Sequence, residues 1–147
     1  LGVYVTMLTE NDVISAVCRY LQNKQFEIKQ ALHTSEKGID IIAKNNNFTL
    51  FIEAKGATSA LKTSSRYGKP FNKNQIKSHV GQALLAVMKI ATEHNDKEKV
   101  NVGIALPDNE GHRELISEIW FAVEKLGIYI FWVKDSNKVE STLEWSK

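Results

Sequence analysis

Between Glu53 and Glu93 the 147-residue chain carries no aspartate or glutamate, while Lys55, Lys62, Arg66, Lys69, Lys73, Lys77 and Lys89 all fall there. The formal net charge is only +2, so basic charge is segregated rather than abundant. Such segregation is the pattern of a protein that meets a polyanion on one face; the plainer alternative is a solvated loop that happens to be basic. Cysteine is nearly missing too. Cys18 alone excludes an intrachain disulfide and a cysteine-based zinc cage, and it reads as a buried helix residue. Two prolines and eight glycines exclude a collagen-like or low-complexity chain. No apolar run reaches the length of a membrane span and no segment resembles a signal peptide, so a cytoplasmic protein without a membrane partner is expected. With 43% hydrophobic residues, the chain has enough for one core. A single domain over 1–147 is expected, with residues 1–6 (LGVYVT, ahead of Met7) as a disordered N-terminal extension.

Periodicity predicts a helix over Thr9–Lys24, with Thr9 as N-cap, Asp12 completing an acidic capping box, and Val13, Ile14, Val17, Tyr20 and Leu21 on the buried face. Glu10 extends that face by a turn and should point inward. Strands follow at Phe26–Leu32, Ile39–Lys44 and Phe48–Lys55, the last two joined across three asparagines, which tolerate left-handed turn conformations. A long polar segment from Gly56 to Gln75 shows no element of its own, and a loop of that length is usually functional. A second helix is predicted over Gln75–His94, a strand over Lys99–Leu106 and a third helix over Glu114–Gly127. That helix carries a stripe of Leu115, Ile119, Ala122 and Leu126, with Gly127 as its stop. The run GIYIFWV reads as a buried strand. The order αβββαβαβ implies an α/β layer fold.

The stretch GIDIIAKNNNFTLFIEAKG, Gly38 to Gly56, sets charges inside apolar strands, where an unpaired charge is costly. If the turn is a two-residue loop at Asn46-Asn47, Asp40 lies directly opposite Glu53, and Lys55 joins the same face. The other face then collects Ile41, Ala43, Leu50, Ile52 and Ala54. Two carboxylates about 5 Å apart at Cβ repel, and a hard divalent cation such as Mg²⁺, or alternatively Mn²⁺, converts that repulsion into coordination. An adjacent ammonium and a basic approach loop suggest hydrolysis of a phosphodiester. A three-residue turn would instead throw Glu53 onto the opposite face. The bland reading of the three charges is an exposed hairpin with surface salt bridges.

These residues resemble the PD-(D/E)xK nuclease superfamily, nearest to its Mrr-like and archaeal Holliday-junction-resolvase-like branches. Gly38-Ile39-Asp40-Ile41-Ile42-Ala43 is similar to the G-x-D-x-x-A form, and Glu53-Ala54-Lys55 to (D/E)-x-K; Ile39 stands where the motif's naming proline would be. The resemblance covers the chain from about Thr9 to the end of the second helix. It implies a restriction-endonuclease-like three-layer fold, a central mixed β-sheet flanked by helices. It also implies Asp40 and Glu53 as metal ligands, Lys55 as the residue assisting the attacking water, Glu10 as a further ligand and Gln82 as a catalytic companion. A Mg²⁺-dependent DNA endonuclease is therefore expected. The alternative is a non-catalytic nucleic-acid-binding module of the same fold, serving as a subunit of a defence or repair complex.

Lys62, Arg66, Lys69, Lys73 and Lys77 fit phosphate-backbone binding, with His79 as a further phosphate contact. Tyr67 and Phe71, interleaved among them, could stack on bases or pack the loop. No specificity domain is evident, so selectivity is expected from a homodimer, a partner protein or DNA shape.

Overall fold

The computed structural model describes residues 7–32, 36–59, 68–95 and 99–143. Residues 1–6 and the loop residues Lys62, Arg66 and Tyr67 lie outside them. The described elements are α1 (Glu10–Asn23), β1 (Glu27–Ala31), β2 (Ile41–Lys44), β3 (Thr49–Ala54), α2 (Lys73–Glu93), β4 (Val100–Pro107), α3 (Glu110–Lys125), β5 (Ile128–Asp135) and β6 (Lys138–Ser141).

Side-chain caps decide where the helices begin. Thr9 and Asp12 form the expected reciprocal pair at α1, Thr9 N–H donating to Asp12 Oδ2 at 2.9 Å and Asp12 N–H to Thr9 Oγ1 at 3.2 Å. Asn72 and Gln75 make the same exchange, both bonds at 2.9 Å, and so start α2 at Lys73, two residues before the expected Gln75. Asn109 Oδ1 accepts from His112 N–H at 2.9 Å and starts α3 at Glu110 rather than Glu114. Each bond satisfies one of the amides that a helix start leaves without an intrahelical acceptor. Gly127, at φ 69°, ends α3 as expected.

The six strands form one mixed sheet in sequence order, β1 to β6. β3, β4 and β5 are parallel at its centre; β2 and β1 extend it by antiparallel pairing on one side and β6 does so on the other. The β3–α2–β4 and β4–α3–β5 crossovers step in one direction across the sheet, and crossovers of a single hand then put both helices on one face. The packing follows this rule. Phe51, Val102, Ile104, Ile130 and Trp132 pack beneath α2 and α3. Ile41, Ala43, Leu50, Ile52, Ala54, Ala105 and Phe131 pack beneath α1. No helix among the described residues is long and apolar enough to cross a membrane.

Two sequence expectations need correction. The predicted order lacked β6, a four-residue strand returning from β5 through a turn in which Asn137 N–H donates to Asp135 Oδ1 at 2.7 Å. Its half-buried residues are Val139 and Ser141, and only the first is apolar, so its alternation carries almost no apolar signal. The predicted α3 stripe was also misplaced. His112, Ile116 and Val123 are its buried residues, Leu115 and Ile119 lie on the flank, Ala122 is exposed, and Leu126 is 60% exposed beyond the last turn. The cause is close packing against α2: a Cβ on Gly111 would lie 2.8 Å from Ile76 Cδ1, which sets the helix's rotation.

Candidate active site

The geometry of the site starts at the β2–β3 register. Ile41 pairs with Ile52, Ile42 with Phe51, Ala43 with Leu50 and Lys44 with Thr49, so Asp40 and Glu53 are the next pair outward. This is the register of a two-residue loop at Asn46-Asn47. Its chemistry differs from the expectation. Asn45 Oδ1 accepts from Asn47 N–H at 2.8 Å and Phe48 N–H at 2.9 Å, closing the turn with a side chain. No left-handed residue is used: Gln25 is the only non-glycine at positive φ among the described residues.

Asp40 is held from several directions. Gly38, at φ 130°, turns the chain toward β2, Gln30 Nε2 donates to Ile39 O at 2.7 Å, and Leu32 N–H donates to Asp40 O at 2.9 Å. The Asp40 carboxylate, in a residue 8% exposed, accepts from Ala54 N–H through Oδ2 at 2.8 Å. Lys55 leaves β3 with its N–H donating to Ala105 O at 3.0 Å, so the parallel ladder fixes its backbone.

Glu10 comes from the opposite face of the sheet, and Gly56 is what admits it. Ala57 N–H donates to Leu8 O at 2.7 Å, drawing the start of α1 across the end of β3. A Cβ on Gly56 would lie 2.4 Å from Glu10 N and 2.7 Å from Thr9 C, both backbone atoms. Gly56 was not singled out from the sequence, although an isolated glycine at a strand end is a signal for close backbone approach. A cleft of about 200 Å³ here is lined by Glu10, Lys55, Gly56, Thr58, Ser59, Phe71, His79 and Gln82. The structure thus brings Glu10, His79 and Gln82 to the cleft beside Lys55. His79 packs edge-on to Phe71, ring centroids 4.5 Å apart, so Phe71 packs the wall.

Electrostatics mark the site as short of positive charge. Burial pushes the Glu53 carboxyl up to about 8, helped by the Asp40 charge and a hydrogen bond between the two side chains. Burial raises Asp40 as well, against the lowering by Ala54 N–H, Glu53 and Lys55. Glu10 is raised by burial and then by Asp40. His79 is lowered by burial and then by Lys55, which keeps its ring neutral near pH 7.

A carboxyl raised on folding contributes stability that is complete below its unfolded value, near 4.5, and lost as pH rises through about 8. Glu53 is only half-buried, so screening holds the loss to on the order of 1 kcal/mol, about 2–4 °C in Tm for a chain of this length. In EDTA, Tm is expected to fall by that much between pH 5 and pH 8.5. Glu53→Gln should flatten the profile, and an equal slope in that variant would refute this origin.

The basic residues do not all converge on the cleft. Lys69 is exposed in the turn before α2. Lys73 lies 3.7 Å from Glu114, and Lys77 lines the groove between α2 and α3 with Glu114 and Glu118, away from Lys55. Lys62 and Arg66 are outside the described residues. Cys18 is half-buried with its thiol pushed up to about 11 by burial, consistent with an inert packing role. Among the described residues, no three His, Cys, Asp or Glu side chains are gathered as a ready metal cage. No family model, no curated protein and no solved structure matches the chain.

Proposed function

We propose that the chain is a metal-dependent nuclease with a restriction-endonuclease-like fold, hydrolysing phosphodiester bonds of DNA at the Asp40–Glu53–Lys55 site. The observation that carries this reading is the β2–β3 register, which sets a buried and a half-buried carboxylate side by side with an ammonium on the same face. A merely structural hairpin gains nothing from that pair, since neighbouring like charges destabilise.

The donor set fits Mg²⁺ or Mn²⁺. It is all oxygen, and the Asp40 charge beside Glu53 raises the Glu53 carboxyl, a repulsion that a cation between them would relieve. Asp40, Glu53 and Glu10 would hold the ion, which when bound would supply Lewis acidity and a more acidic water. Asp40 keeps its Ala54 N–H bond and so presents its second oxygen in a fixed direction. Lys55, rigid at its backbone, orients the attacking water and stabilises charge developing on the phosphate. Gln82, on the exposed flank of α2, offers amide hydrogen bonds to the same space, and neutral His79 and Lys69 meet the phosphate backbone. Selectivity would come from a second copy or a partner protein. Phe121 of α3, Leu126 just past its end, and Leu85 and Met88 of α2 expose apolar surface for it. We place the protein in the cytoplasm.

The second reading is a DNA-binding module of the same fold without catalysis. Incubation with duplex, single-stranded and branched DNA, in Mg²⁺ or Mn²⁺ against EDTA, separates the two. The nuclease reading expects metal-dependent strand scission. Salt-sensitive binding with no scission under either metal would overturn it in favour of the module.

A further inference from the structure

A larger cleft, of about 550 Å³, opens on the other side of Phe71, at the carboxyl ends of β3, β4 and β5. Crevices at that end of parallel strands are where ligands bind in α/β sheets, and the volume is in the range of small-molecule sites. Its walls are apolar, with Leu8, Phe71, Ile76, Pro107 and Val133 among them. Two helices begin at its rim. Asn72 and Asn109 each cap only one amide, leaving those of Lys73, Glu110 and Gly111 without an intrahelical acceptor. α2 carries no acidic side chain in its first turn, so its positive end is uncompensated. Asp108, also on the rim, is engaged by Arg113 through bonds of 2.7 and 3.0 Å.

His112 supplies the second observation. It is 0% exposed, lines this cleft, and its Nε2 has no hydrogen-bond partner among the described residues. Asn109 Oδ1 lies 2.8 Å from Nδ1 and already accepts His112 N–H. An oxygen can only accept, so Nδ1 carries the ring proton and Nε2 is a bare acceptor. A buried acceptor without a donor is rare and calls for one.

We propose that this cleft is a nucleotide subsite, holding one unpaired nucleotide of the strand whose phosphodiester lies in the neighbouring active-site cleft. The base packs between the apolar walls and donates an N–H to His112 Nε2, while its phosphate meets the N-terminus of α2 and Lys73. An apolar slot, a bare acceptor and a positive helix end together match a nucleotide, where each alone would not. The placement beside the catalytic cleft rests on the nuclease reading above, and Phe71 is the wall common to both spaces. A paired base would have to leave its stack to enter, so the subsite selects for unpaired strands.

The test is calorimetric titration of the full chain with deoxynucleoside 5′-monophosphates, without metal, against deoxyribose 5-phosphate. Saturable nucleotide binding, at least about tenfold tighter than the sugar phosphate, is expected. His112→Phe should abolish that tenfold preference. Lys73 is 86% exposed, so Lys73→Glu tests the phosphate end without risk to the core, and should weaken nucleotide binding by about tenfold. Absence of binding, equal affinity for the sugar phosphate, or unchanged affinity in Lys73→Glu would overturn the subsite. Because no cleavage is measured, a protein that binds nucleotides yet never cuts DNA refutes the nuclease and keeps the subsite. One that cuts DNA but binds no mononucleotide does the reverse.

Discussion

Lys55→Ala is expected to lower metal-dependent DNA cleavage by about 10²–10³-fold, the loss typical of removing one preorganised charge-stabilising group. Folding should be nearly untouched. The Lys55 backbone bond to Ala105 O survives the change, and no salt bridge among the described residues involves the Lys55 side chain. The lysine also lowers the Glu10, Asp40 and Glu53 carboxyls. Its removal therefore lets all three rise further, so the residual activity should need a higher pH. A scissile-strand assay over a pH series, with DNA affinity measured in parallel, reads both effects. Cleavage at the wild-type rate would remove Lys55 from the mechanism, and a lost rate with lost binding would make it a binding residue only.

Gly56→Ala is expected to cost about 1–3 kcal/mol of stability and to reduce cleavage as far as Glu10→Gln does. The added methyl meets backbone at 2.4 and 2.7 Å, not the end of a side chain that could swing away. Relief requires the start of α1 to lift from the end of β3, which breaks the Ala57–Leu8 bond and carries Glu10 away from Asp40 and Glu53. A mere loss of stability would add independently to a Glu10 change. If Gly56 acts through Glu10, the double variant Gly56→Ala/Glu10→Gln should lose little more activity than either single one. Additive losses in the cycle, or an unchanged Tm in Gly56→Ala, would contradict the contact.

Which parts of this were legible in the sequence follows from how local each determinant is. The pairing of Asp40 with Glu53 rests on strand alternation and the length of one turn, both contained within a few residues, and the hairpin has that register. His79 and Gln82 were readable as a flank of α2 because helical periodicity is local too. Lys77 shows the limit: charge composition grouped it with the basic face, yet its position on α2 turns it toward Glu114 and Glu118. The Gly56–Glu10 approach joins segments far apart in the chain, so no window along the sequence contains it. The burial of His112 was not legible for a different reason. Its burial depends on where α3 begins, and Asn109 moved that start ahead of the first apolar position.

The asparagine turn has a consequence for how such a chain can evolve. Asn45 closes a loop of two residues roughly 20 Å along the strand from Glu53. Substitutions at Asn46 or Asn47 are cheap, because neither residue needs a special backbone conformation. An insertion of one residue is not cheap, since it reverses the parity of β3 and exchanges Glu53 and Lys55 with Ile52 and Ala54 between the two faces. The tip of the hairpin touches no reacting group, yet lineages of this protein can change its letters freely and its length only in steps that keep parity.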